Sequence, residues 1–263
     1  MTIFGVETFV GLSPLLVALL GFIYFAAAFI RGLLGFGSGA PSVLFGAFIL
    51  PPHEAVILSI VVATLAQLIL LKDGIRDGSY VTSTPIMIGF AIASILGVWI
   101  FANLRAEWLT LMLGLLLITA TLGDLTDAMT RFASKLDLTK TRVPFGIGML
   151  AGLAGSIGGA GIGYFLSVYV RWASSSPAEF RGNNILISTF TCIWRIGAFA
   201  AFGLLAWHYL TGLLILVPAI ITGNWLGSKA SGELTPERYF RIFQLVLLFG
   251  AIILTIKGVR GLI

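Results

Sequence analysis

The chain has 263 residues, of which 58% are hydrophobic and 10% charged, with a mean hydropathy of +1.04 and a formal net charge of +5. This composition excludes a soluble globular domain, and apolar runs of about 20 residues exclude a β-barrel, whose strands would alternate over about ten. A single cysteine, Cys192, excludes an internal disulfide and a thiolate metal cluster within one chain.

The first apolar run follows Met1 to Glu7 without a basic stretch, so it reads as a retained helix, not a removable signal. Apolar segments then lie at roughly 10–31, 36–50, 54–72, 80–102 and 107–123. A polar stretch from Asp124 to Arg142 reads as a cytoplasmic connection. The second set lies at roughly 143–155, 159–172, 183–206, 209–228 and 237–257. Segments 36–50, 143–155 and 159–172 are short for a span, which predicts half-helices, re-entrant pieces or tightly packed short helices.

A glycine-rich break occurs twice. The first copy is Arg31-Gly-Leu-Leu-Gly-Phe-Gly-Ser-Gly-Ala-Pro41 and the second is Gly152-Leu-Ala-Gly-Ser-Ile-Gly-Gly-Ala-Gly-Ile-Gly163. Gly32, Leu33, Gly35, Gly39 and Ala40 recur as Gly152, Leu153, Gly155, Gly159 and Ala160. Further matches follow in order: Glu54 with Glu179, Thr64 with Thr189, Gly97 and Trp99 with Gly223 and Trp225, and Leu104 and Glu107 with Leu234 and Glu237. Their order predicts a duplicated unit, with a first repeat over 1–123, a linker over 124–142 and a second repeat over 143–263.

Five segments per half is an odd number, so the halves are expected to be inverted relative to each other. With the N-terminus outside, Lys72, Arg76, Arg131, Lys135, Lys140, Arg142, Arg171, Arg181, Lys229, Arg238 and Arg241 fall on the cytoplasmic side. Arg105, Lys257 and Arg260 fall outside, so the bias follows the positive-inside rule. The expected fold is thus an all-α polytopic membrane protein of two homologous halves arranged as inverted repeats. Gly-broken short or re-entrant helices interrupt it, giving about 8 to 10 membrane segments.

Paired breaks in matching places of two hydrophobic halves point to a transporter's binding site. New helix starts after the breaks, supported by Pro41, would offer N–H groups and a positive dipole end to an anion. Gly35, Gly37, Gly39, Gly155, Gly158 and Gly159 are therefore candidate site residues, with Ser38 and Ser156 as hydroxyl donors. The alternative is that glycines spaced by four, Gly35/Gly39 and Gly155/Gly159, serve helix packing.

Asn184, Ser188, Thr191 and Arg195 recur on one helical face, and Asn183 lies at its end. A central membrane arginine costs about 2.5–3.5 kcal/mol and must find a partner. No acidic residue shares the face, which leaves an anionic ligand or carbonyl oxygens freed by a broken helix. Arg31 precedes the first break, where the second half has Ala151, while the first-half match of Arg195 is Leu70. Planar guanidinium suits bidentate capture of oxyanions; the alternative for Arg31 is snorkelling at a helix end. Glu54 and Glu179 follow prolines by two residues, a place that complements a helix dipole; a coupling role is the other reading. His53 and His208 lie near predicted loops, so no metal site, cofactor or Ser/His/Asp set is expected.

The duplicated Gly32–Pro41 and Gly152–Gly163 segments, Pro177-Ala-Glu179 and the polar helix from Asn183 resemble the TauE/SafE family of sulfite and organosulfonate exporters, also called the toluene-sulfonate uptake permease family. The resemblance covers nearly the whole chain. It implies an inner-membrane secondary transporter built by duplication of a four-span unit, handling sulfite, sulfonates, sulfoacetate or related sulfur-containing anions. The ten segments read here depart from eight spans at the short pieces. The expected partners are a small anionic substrate, the lipid bilayer and a proton or sodium ion for coupling, with no nucleic acid; a homo-oligomer is compatible. An anion channel and an intramembrane serine hydrolase are the other function classes.

Overall fold

The computed structural model describes residues 2–3, 5–126, 131, 142–159, 162–230 and 236–262. A two-strand hairpin, Thr2–Ile3 with Val6–Glu7, precedes the helices. The helices are α1 (Pro14–Leu34), α2 (Gly39–Ile49), α3 (Pro52–Asp77), α4 (Tyr80–Asn103), α5 (Ala106–Leu125), α6 (Arg142–Gly158), α7 (Ile162–Ala173), α8 (Pro177–Ala201), α9 (Trp207–Ala230) and α10 (Pro236–Leu262). Seven described helices are long and apolar enough to cross a membrane, and α2 is a shorter apolar one. The chain is thus a mostly helical polytopic membrane protein. Most of the predicted 124–142 linker lies outside the described residues.

Helix ends are set by local chemistry. Ser13 caps α1 by accepting from Leu16 N, and Pro14 opens it. Ser176 and Glu179 cap α8 from both sides: Glu179 N donates to Ser176 Oγ, and Ser175 N donates to Glu179 Oε2 at 2.8 Å. Glu54 stands in the first turn of α3. Both glutamates therefore occupy helix starts, where the dipole favours them.

The helices pair across the two halves of the chain. Gly223 and Gly227 press on the Phe25 and Phe29 carbonyls, so α9 runs parallel to α1. Gly148 and Gly152 press on the Ile86 and Phe90 carbonyls, so α6 runs parallel to α4. Gly114 meets Thr255 and Gly258 meets Leu111, so α5 and α10 are antiparallel. Gly74 meets Ile185 and Gly182 meets Gly78, so α3 and α8 are antiparallel. At these crossings a Cβ would collide with backbone or, at Gly74, with the Ile185 side chain, and the absence of side chains permits close approach.

The sequence places the breaks too early. Gly32 and Gly152 were expected to belong to them, but both lie inside helices because α9 and α4 pack directly against them. Helix α1 continues to Leu34 and α6 to Gly158. Packing offsets the helix cost of glycine, about 1 kcal/mol each. Segment 183–206 likewise begins earlier, at Pro177, since Ser176 supplies the cap.

Following the helix directions, one end of the bundle carries Lys72, Arg76, Arg142, Arg171, Arg181 and Lys229, and the other Arg105, Lys257 and Arg260. Large apolar side chains such as Leu15, Phe22, Ile92, Trp99, Leu150, Trp225 and Phe249 cover the outer surface, as a lipid-facing surface requires.

These crossings make a direct prediction. A Cβ at Gly152 would lie 2.5 Å from the Phe90 carbonyl oxygen, whereas nothing stands within 4 Å of one at Gly146. Gly152→Val is expected to destabilise the folded protein by about 1–3 kcal/mol or more, and Gly146→Ala to leave it unharmed. Thermal unfolding of both variants in detergent checks this.

Candidate functional site

The first break is the turn Gly35–Ser38. Gly35 ends α1 in the left-handed region at φ 81°, its N–H bonded to Arg31 O at 2.6 Å, and Gly37 follows at φ 94°. The second break begins at Gly159, φ 60°, whose N–H bonds Gly155 O at 2.8 Å. By sequence match Gly35 pairs with Gly155, yet the helix-ending glycines are Gly35 and Gly159. The second break therefore comes one turn later than the first. Gly39 and Ala40 already belong to α2, with Pro41 in its first turn, and Gly155, Ser156 and Gly158 belong to α6.

Each break packs on helices of the other half. A Cβ at Gly35 would lie 3.1 Å from the Ile185 side chain of α8, and one at Gly159 would lie 3.1 Å from Val43 of α2 and Val56 of α3.

Between the breaks lie two buried arginines. Arg31 on α1 is 5% exposed and Arg195 on α8 is 4% exposed. Arg31 Nε donates to Ser38 Oγ at 2.6 Å, and its Nη1 donates to Gln67 Oε1 on α3. Gln67, fully buried, donates from Nε2 to Ile185 O at 3.0 Å and Gly35 O at 3.5 Å. Arg195 Nη1 donates to Gly155 O at 2.6 Å, while its Nε is buried without a partner. The buried Cys192 side chain interacts with both guanidinium groups, which also repel each other. Gln67 lies fifteen residues beyond Pro52 and ten before Asp77, about 22 and 15 Å from the ends of α3. The group is therefore deep inside a slab of about 30 Å.

No described carboxylate bonds Arg31 or Arg195. The described ion pairs belong to Arg76, Arg105 and Arg181. Arg195 takes a carbonyl in the last turn of α6 that also accepts from Gly159 N, so it is shared rather than freed, and Nε–H is left unanswered. Ser156, one residue from that carbonyl, also holds a buried Oγ without a partner.

The other candidates are placed elsewhere or turned inward. Asn183 accepts from Ser79 N at 2.6 Å and donates to Ser174 Oγ at 3.0 Å, which fastens the α3–α4 turn to α8. Asn184 Nδ2 donates to Phe180 O and Thr191 Oγ1 to Ser188 O, both within α8. Ser188 is half-buried on the same helix. Glu54 opens on a cavity of about 240 Å³ at the Arg105 end, shared with Glu7, His208 and Tyr209. Glu179 is bonded to Ser175 at the opposite end.

Two layers close over the arginines. Toward the Lys72–Arg181 end, Arg181 Nη1 bonds Asp73 Oδ2 at 3.1 Å and its Nη2 bonds Gly32 O at 3.2 Å. Toward the other end, the hydroxyls of Tyr24 and Ser59 meet at 3.3 Å within packed Val43, Leu44, Val56 and Leu58.

Sequence reasoning passed over Gln67 and Cys192. A signal existed. The register that pairs Thr64 with Thr189 also pairs Gln67 with Cys192 and Leu70 with Arg195, and Gln67 is a lone amide in an apolar run. Asn224, which donates to Ala66 O at 2.8 Å, was also missed.

A model of the family described as sulfite exporter TauE/SafE matches residues 8–254. The comparisons with curated proteins and with solved structures gave no match.

Gln67→Leu removes the amide that joins Arg31 to the Ile185 carbonyl. Each buried polar group left unpaired costs about 1–3 kcal/mol, so the variant is expected to unfold at lower denaturant or temperature than wild type. Detergent unfolding curves measure the loss.

Proposed function

The chain belongs to the sulfite exporter TauE/SafE family, and on that premise we propose that it is a secondary transporter of a small sulfur-containing oxyanion. Sulfite, a sulfonate or sulfoacetate fits the reading, with export across the cytoplasmic (inner) membrane. The observation that carries it is the convergence of Arg31 and Arg195, both buried and both without a described carboxylate, from opposite halves of the chain. Neutral acceptors take part of each guanidinium, and an anion would take the N–H left on Arg195 and answer the charge.

The proposed mechanism is alternating access between inverted repeats. The pairing of helices supports it. Exchange of α1–α5 for α6–α10 maps the α1/α9 crossing onto α6/α4, and maps α3/α8 and α5/α10 onto themselves. Parallel crossings map onto parallel ones. The charged end bearing Lys72, Arg76 and Arg181 would face the cytoplasm. Both covering layers, Arg181 with Asp73 and Tyr24 with Ser59, would then open in turn. The membrane potential favours outward movement of an anion by about 2.3 kcal/mol per charge per 100 mV, so export needs no coupling ion.

A carrier also fits the surroundings of the serines better than an enzyme does. Ser38 Oγ accepts from a cation, Arg31, and the histidines pack on Phe101 and Tyr209 at a distance from it.

Arg195→Gln is expected to cut sulfite or sulfonate flux in proteoliposomes at least about tenfold, the scale of one lost charge-assisted hydrogen bond. Arg31→Gln should also reduce it. Flux in wild type should saturate and show counterflow. Unchanged flux in Arg195→Gln would defeat the proposed site.

A further inference from the structure

The arginine pair has a property beyond its location. Arg31 is held by Ser38 Oγ and Gln67 Oε1, and Arg195 by the Gly155 carbonyl. All three acceptors are uncharged. Hydrogen bonds are partly supplied, but the two positive charges are answered by no described carboxylate. Arg195 Nε keeps an N–H without a partner, although the residue is more than nine-tenths buried.

Cys192 stands where the two charges meet. It precedes Arg195 by three residues and so shares its helical face, and its side chain interacts with both guanidinium groups. In the repeat register its counterpart is Gln67, the amide that tethers Arg31. The second half thus has a small sulfur side chain where the first has a hydrogen-bonding tether. An acid at this place would be a resident counter-ion touching both arginines. A thiol brings no carboxylate charge and leaves Arg195 Nε–H, with the N–H groups of Arg31 that Ser38 and Gln67 do not take, for oxygens of a ligand.

We infer that the site is built for a doubly charged anion bridging Arg31 and Arg195, and that Cys192 is the specificity-determining residue that keeps a resident carboxylate out of it. This rests on the anion-site reading above and narrows it. A monovalent sulfonate offers one charge to two guanidinium groups and leaves half of the site's charge unanswered. A dianion with three or more oxygens can reach both guanidinium groups at once through the N–H groups still open.

The test compares two probes of fixed charge, sulfate and methanesulfonate, at constant ionic strength. Binding to the purified full chain is read by calorimetry. Wild type is expected to bind sulfate at least about tenfold more tightly than methanesulfonate, because each unanswered charge in a poorly screened site weighs far more than in water. Cys192→Asp should lose sulfate binding at least about tenfold and narrow or invert that preference, while Cys192→Ser should keep it. The wild-type comparison needs no variant, so it decides even if Cys192→Asp does not fold. Equal binding of the two probes would overturn the divalent inference and leave the anion site standing. Binding of neither probe, or binding unaltered in Arg195→Gln, would overturn the site itself and the inference with it.

Discussion

Two guanidinium groups buried without a described carboxylate partner are the constraint around which this molecule is arranged. Each arginine inside a membrane costs about 2.5–3.5 kcal/mol on insertion scales, and two like charges close together add to that cost. The fold compensates with neutral acceptors. Near a helix end a carbonyl can accept a second donor beside its helical one, or has no helical donor at all. Gly155 O in the last turn of α6 accepts from Arg195 beside its own helical bond, the Gln67 amide of α3 accepts from Arg31, and Gly35 O just past α1 accepts from that amide. The breaks thus serve first as sources of acceptors. This differs from the expectation that the new helix starts, with their N–H groups, form the centre of the site.

The acceptors reach the arginines only because the helices pack unusually closely. Glycines at 32, 89, 97, 148, 152, 223 and 227 leave carbonyls of α1 and α9, and of α4 and α6, where side chains would otherwise stand. These crossings hold α1 against α9 and α4 against α6, while α3 packs on α8 and α9, and α8 on α4. Glycine therefore has two physically separate uses in the same motif. Gly32 and Gly152 give close contact within helices, while Gly35 and Gly159 adopt the left-handed backbone that ends them.

That double use explains what was legible in the sequence and what was not. Ten segments, the three short ones and the glutamates at helix starts could all be read from apolar length and spacing. The break positions could not, because a glycine that packs and a glycine that turns look alike in a single chain. Arg195 stood out as a charge in an apolar helix. Its neighbours did not: Asn183 and Asn184 share its polar character but bond to the α3–α4 turn and to Phe180 O. The reverse error hid Gln67 and Cys192, since an amide and a thiol carry no charge to flag them. Their contacts with Arg31 depend on the antiparallel packing of α3 against α8, which periodicity does not encode.

The matched segments share glycines and glutamates, but the polar centre is not matched between them. Arg31, Ser38 and Gln67 form a tethered set on the first half, whereas Arg195 keeps a buried donor without a partner. Their counterparts are Ala151, Gly158, Cys192 and Leu70. If both halves carried the full set, four arginines and two amides would compete for one small space. If neither did, nothing would hold an anion there. Dividing the set gives one firmly held cation and one less constrained cation at the junction of the halves. Relative movement of the halves would then change the spacing of the pair directly, because α1 carries one arginine and α8 the other. The same motion would strain the Arg181 link from α8 to Asp73 and Gly32 O. Were an anion held by the pair, its affinity and closure toward that end would be coupled through a single helix, α8.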